Sequence, residues 1–117
     1  MTAPSAAQAR GRFGEDEAAR WYRRHGYEVV ARNWRCAVGE LDVVATRPGL
    51  VVFCEVKARA SAQFGGPEGA VDWRKQRKLR QLAALWLAEC RPAGVVTVRF
   101  DVAALVGARL QVHEAAF

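Results

Sequence analysis

Within 39-GELDVVATRPGLVVFCEVKAR-59, charges interrupt two hydrophobic runs at every second residue. Asp42 stands in the first run, and Glu55 and Lys57 stand two apart in the second, with Pro48-Gly49 between them. Side chains alternate faces along a strand, so Glu40 and Asp42 share one face, and Glu55, Lys57 and Arg59 share one face with Val51 and Phe53. With Pro48 and Gly49 as the turn residues, Arg47 faces Leu50, Asp42 faces Glu55, and Glu40 faces Lys57. A Pro-Gly pair is not the preferred two-residue hairpin loop, so a longer or bulged turn stays open. In this register two carboxylates and an ammonium group gather within about 5–8 Å on one sheet face.

Opposed carboxylates repel and resist ionising together. A divalent cation removes the conflict: oxygen ligands from Asp42 and Glu55 would hold Mg²⁺ or Mn²⁺, leaving positions for water and a phosphate. Lys57 then stands beside the metal, able to orient or deprotonate a water or to neutralise phosphate charge. Arginine could not act as the base, and this chain uses 15 Arg against only 3 Lys. The alternative is a solvated face carrying Glu40–Lys57 and Glu55–Arg59 ion pairs. Spacing alone leaves both readings open.

These residues need a scaffold. Gly14, Ala18, Trp21, Tyr22 and His25 repeat at helical spacing, which predicts a helix from about Arg12 to His25 with Gly26 as its stop. Glu15, Asp16 and Glu17 fall in its first turns, where carboxylates suit the helix dipole. Residues 1–10 read as a flexible tail. Strands are expected over 27–34, in the two arms of the hairpin, over about 95–102, and over 109–114. A second helix from about Asp72 to Glu89 carries an apolar stripe of Leu79, Leu82, Ala83, Trp86 and Cys90. The order α-β-β-β-α-β-β implies an α/β domain, a mixed sheet flanked by helices.

That second helix opens 72-DWRKQRKLR-80, so cations crowd its first turns against the dipole, which a nearby phosphate backbone would offset. Lys75 is in line with Leu79, Leu82 and Trp86 and points toward the sheet, into a cleft. Arg74 and Arg77 point outward toward phosphates, with Lys78 in the same basic run; the alternative is a solvated basic face. Gly11 and Gly14 read as close helix–sheet contacts. Asp101 is expected to pair with an arginine rather than join the site.

The formal net charge of +6 favours a polyanionic partner. Three cysteines without a CxxC pair support neither a disulfide framework nor a zinc ribbon, and read as buried, reduced thiols. Two separated histidines, with Ser5 and Ser61 in loop-like segments, give no hydrolase triad. No apolar run is long enough to span a membrane and the start lacks a signal-peptide core, so a cytoplasmic location is expected.

Asp42, a hairpin turn, then Glu55-Val56-Lys57 resembles the PD-(D/E)XK nuclease motif, with Leu41 in place of its proline. The surrounding segments, GRFGEDEAARWYRRHGYEVVARNWRCAVGELDVVA, FCEVKAR, FGGPEGAVDWRKQRKL and VRFDV, resemble the YraN family of small bacterial proteins over residues 11–117, which read as one domain. The resemblance implies a restriction-endonuclease-like fold similar to archaeal Holliday junction resolvases. It implies a metal-dependent nuclease acting on DNA, including branched DNA in recombination or repair, and a homodimer. Carried onto this chain, Asp42 and Glu55 become metal ligands, Lys57 the catalytic lysine, and Glu15 the helical acid that completes such sites. Arg59 and Gln63 match the family's loop and would clamp DNA, alongside the basic helix. Two alternatives stand beside this reading. One is a non-catalytic DNA-binding accessory working with a recombination protein; the other is an RNA nuclease or RNA-binding module.

Overall fold

The computed structural model describes residues 3, 5–59, 71–95 and 97–117, with the Arg59 side chain outside the description. Helix α1 spans Ala6–Arg24, and strands β1 (Glu28–Arg35), β2 (Glu40–Arg47) and β3 (Leu50–Arg59) follow. Helix α2 (Trp73–Cys90) leads to β4 (Thr97–Val106) and β5 (Arg109–His113). The element order is the one the hydrophobic patterning predicts.

Helix α1 begins inside the segment read as a tail, and a capping box explains why. The Ser5 hydroxyl accepts from the Gln8 N–H at 3.1 Å, while the Gln8 side chain accepts from the Ser5 N–H at 2.8 Å. Two of the helix's orphan donors are thereby satisfied.

The sheet order is β1-β2-β3-β4-β5, antiparallel throughout except for the parallel β3–β4 pair that α2 connects. Arg47 does face Leu50, and Gly49 at φ +77° supplies the conformation that the third position of a type II turn needs. The hairpin therefore closes on Pro48-Gly49 without a longer loop. Among the described strands β3 is the central one, paired on both edges, and Val51–Cys54 are buried on both faces.

Alternation along β3 divides the core. Val51 and Phe53 pack with Leu79, Leu82, Ala83 and Trp86 of α2, the Phe53 and Trp86 rings meeting edge to face at 5.7 Å. Val52 and Cys54 pack with Ala18 and Tyr22 of α1. The result is a helix–sheet–helix sandwich. Gly14 lets α1 approach closely: a Cβ there would lie 3.1 Å from Ala58 Cβ and 3.2 Å from Val56 Cγ1. Gly11 has no such contact among the described residues, contrary to the expectation for it, because it lies a turn beyond the point where the helix touches β3. Of the thiols only Cys54 is buried; Cys36 is half-buried, and Cys90 is exposed at the end of α2 rather than in its apolar stripe.

Candidate metal and nucleic-acid site

The β2–β3 ladder runs from Arg47–Leu50 to Val43–Cys54 and stops there. Continued, it would bring Leu41 opposite Val56. Instead the Val56 N–H donates to Asp42 Oδ2 at 2.8 Å, so a side chain takes the place of the backbone acceptor where the strands part. Alternation also breaks here, since Leu41 joins the α2-side core and Val43 the α1-side core. Glu40 thus does not oppose Lys57. It pairs in register with Arg35 of β1, whose Nε donates to Glu40 Oε2 at 3.0 Å.

The freed strand ends bring three carboxylates together. Glu15 of α1 and Glu40 and Asp42 of β2 each place an oxygen within 4.8 Å of the others, a spread that a single oxygen-ligated cation can bridge. Gly14 positions Glu15 by holding α1 against β3 next to it. Asn33 of β1 ties the group from the side. With its amide nitrogen turned inward it donates to Glu40 Oε1 at 2.7 Å and to Glu15 Oε2 at 2.8 Å. Asn33 adopts φ +51°, a left-handed conformation that asparagine tolerates better than most residues.

Burial, then the neighbouring Glu55 charge, pushes the Asp42 carboxyl up to about 7 despite the Val56 hydrogen bond, with Glu15 and Glu40 adding to the shift. Glu15 is raised as well, first by burial and then by Glu40, against the lowering effect of Asn33. Such a group resists full ionisation until a cation compensates it. The acids alone fit a divalent metal, because every donor is a hard oxygen.

Glu55 does not join this trio. It is only 6% exposed, and its Oε1 lies 3.4 Å from Lys75 Nζ and 3.9 Å from Lys57 Nζ. Lys75 therefore does point toward the sheet, from the first turn of α2. That turn is set by Asp72, whose carboxylate accepts from the Lys75 N–H at 2.9 Å. Arg74, Arg77 and Lys78 are exposed on the same helix. The Lys78 stem lies against Gly39, where a Cβ would meet its Cε at 3.0 Å. The backbone of Arg59 ends β3, and Gln63 lies outside the described residues. Asp101 stays out of the site, held bidentate by Arg99.

The profile of the uncharacterised protein family UPF0102 matches residues 14–105, a span that takes in Glu15, Asp42, Glu55, Lys57 and the basic turn of α2. The chain belongs to the UPF0102 family. A UPF0102 protein of Parafrankia sp. (strain EAN1pec) is 50% identical over 96 residues, covering 82% of this chain and 80% of the relative. One from Beutenbergia cavernae is 50% identical over 104 residues, covering 89% and 87%. One from Desulforamulus reducens is 44% identical over 96 residues, covering 81% and 79%. This is the family to which the YraN resemblance points.

Sequence reading of this UPF0102 chain placed Glu15, Asp42, Glu55, Lys57 and Lys75 in one neighbourhood but missed Glu40 and Asn33. Glu40 carried a usable signal, since it shares a strand face with Asp42. Asn33 carried only its residue type in the middle of a strand. A cleft of about 670 Å³ lies toward the hairpin turn, lined by Arg47, Pro48, Trp86 and Pro92, and holds none of the site residues. Among the described residues, no helix is long and apolar enough to cross a membrane.

Proposed function

We propose that this UPF0102 protein is a metal-dependent endonuclease with a restriction-endonuclease-like fold. Its substrate on this reading is DNA, including branched DNA such as Holliday junctions. The observation that carries the reading is the convergence of Glu15, Glu40 and Asp42 on one point beside the Glu55–Lys57–Lys75 group. Glu15, Glu40 and Asp42 would hold Mg²⁺ or Mn²⁺, with Glu55 the next carboxylate in reach through Asp42. A bound cation there supplies Lewis-acid stabilisation of charge on a phosphate.

The chain's own residues do the rest. Glu55 holds the Lys57 and Lys75 ammonium groups at the edge of the acids. Lys57, on the strand, orients the attacking water or offsets charge on the phosphate in the transition state. Lys75, from the other wall, offsets charge on the same phosphate. Arg74, Arg77 and Lys78 lie along the path that the flanking phosphates would take. A homodimer would match the two-fold symmetry of a four-way junction.

The test is cleavage of labelled duplex, single-stranded and four-way-junction DNA, and of the equivalent RNA, with Mg²⁺ or Mn²⁺. Wild type should cut DNA only with metal. Asp42→Asn and Lys57→Ala should each lower the rate by at least about 100-fold while DNA binding persists. Binding without cutting under any metal would make the protein an accessory that keeps a nuclease fold. Cutting confined to RNA would reassign the substrate, and full activity in Lys57→Ala would remove that lysine from the mechanism.

A further inference from the structure

Trp73, the first residue of α2, is 62% exposed, more than any other large hydrophobic side chain in the described residues. An indole left in water at a helix start contributes nothing to the core, which α2 reaches through Leu79, Leu82, Ala83 and Trp86. Trp73 nonetheless has a charged neighbour. The Arg74 guanidinium carbon lies 4.8 Å from its ring centroid, within cation–π range. One charged group thus accompanies the ring, while much of its surface stays open.

Its position on the helix defines what could cover it. Trp73, Arg77 and Arg80 recur at i, i+4 and i+7, so they share one outward stripe, and all three are exposed. Lys75, two residues on, turns to the other side and reaches Glu55 at 3.4 Å. The N-terminal end of α2 therefore separates a carboxylate–lysine cleft from an exposed aromatic in a basic stripe. The backbone positions of Trp73 and Lys75 are about 3 Å apart along the helix axis, with their side chains directed to opposite sides of it. A polyanion that crosses this end meets both.

We propose that Trp73 is a stacking platform for an unpaired nucleobase beside the cleavage point, which makes the preferred substrate a nucleic acid with an unstacked or single-stranded segment there. The inference rests on the nucleic-acid reading of the site and deepens it. Arginines without an aromatic track phosphates and do not distinguish a continuous duplex from an opened one. An open indole does, because each base has a π face that is available only once it leaves its stack. Junction branch points, flaps and single strands offer such bases, and intact duplex does not. Arg74 keeps the ring in place and adds cation–π attraction for the base.

The experiment compares fluorescein-labelled oligothymidine with a chain of abasic sites of equal length and charge, by anisotropy in metal-free buffer. Wild type should bind oligothymidine about tenfold more tightly than the abasic chain. Trp73→Ala should lose about that tenfold on oligothymidine and change nothing on the abasic chain, and Trp73→Phe should restore most of it. Equal losses on both chains, or a loss on neither, would overturn the stacking role. So would unchanged affinities together with an altered sedimentation coefficient of the free protein, which would assign Trp73 to a self-association surface. Wild type that binds neither chain would overturn the platform, while cleavage of duplex or junction DNA with metal would still uphold the nuclease reading. Binding as expected without cutting in added metal would overturn only the nuclease reading and leave the platform standing.

Discussion

Asp101 and Asp42 both place a carboxylate against the sheet, and the chain surrounds them in opposite ways. Asp101 is fully buried and fully partnered. It accepts from the Tyr22 hydroxyl at 2.6 Å, from Arg99 Nε and Nη2 at 2.8 Å each, and from the Ala115 N–H at 3.0 Å. Arg99 is tied in turn to the Tyr27 hydroxyl and to Glu114. Its guanidinium is held more firmly protonated, chiefly by the Asp101 hydrogen bonds, while burial keeps the Tyr22 phenol neutral. Among the described residues, Asp42 has one backbone donor and faces three other carboxylates. A carboxylate that only holds a fold together is given its counter-charge by the chain. One left facing other carboxylates has its counter-charge still to be supplied, which is the place the proposed metal would take, and that contrast favours the functional reading of the Asp42 cluster over a solvated ion-pair face.

The sharpest way to break the comparison is to neutralise each acid in turn. Asp101→Asn removes the charge from a buried pair and leaves the Arg99 guanidinium under-compensated. It should destabilise the fold by about 3 kcal/mol, read from urea unfolding at neutral pH. A change below about 1 kcal/mol would mean that Glu114 and Tyr27 suffice for Arg99, and that the two acids differ less than their contacts imply.

Asp42→Asn should move stability the other way. The amide keeps an oxygen for the Val56 N–H while removing the repelled charge. Because the Asp42 pKa rises from 3.8 to about 7 on folding, the folded chain binds a proton there that the unfolded chain has released. That contribution to stability is complete below about pH 4 and is lost as pH climbs through about 7. In metal-free buffer above pH 7, Asp42→Asn should therefore be more stable than wild type by about 2 kcal/mol, less than the full displacement implies because the cluster borders solvent. Wild-type stability should fall between pH 4 and 7, and the variant's should be flatter. Millimolar Mg²⁺ should raise the wild-type melting temperature at pH 7.5 and leave the variant's unchanged. A wild type indifferent to both pH and Mg²⁺ would remove Asp42 from any metal site.

How much of this could be read from residues alone follows from which interactions are periodic. The hairpin, the element order and the inward turn of Lys75 obey periods of two and of 3.6, so Arg47 facing Leu50 and Lys75 pointing toward the sheet were both legible. Ser5 and Gln8 also have the spacing of a capping box, a local signal that outweighs the small, polar composition suggesting a tail. The end of the ladder at Val43–Cys54 was not legible, because it depends on a side chain capturing the Val56 N–H. Nor was Asn33, whose left-handed backbone aims its amide between two acids from different elements. The motif residues were found by pattern, and the residues that orient them only by their contacts in three dimensions.

Glu40 is where the comparison is finest, because it belongs partly to each kind of acid. It has an ion pair with Arg35, whose side chain is largely exposed, and it is also one corner of the Glu15–Glu40–Asp42 group. If the ion pair is its whole role, Glu40→Gln should cost no more than about 0.5 kcal/mol and leave the Mg²⁺-dependent rise in melting temperature intact. If it is a ligand, the same variant should be neutral or slightly stabilising without metal, since one repelling charge is gone from beside Asp42 and Glu15. Its Mg²⁺-induced rise should then shrink to less than about half of wild type. We expect the second outcome. Two carboxylates one strand step apart on β2, met by Glu15 from α1 and bridged by Asn33, are held together more tightly than a surface ion pair requires. An undiminished Mg²⁺ response in Glu40→Gln would return Glu40 to the ion-pair class and leave Asp42 to bind with Glu15 and Glu55 alone.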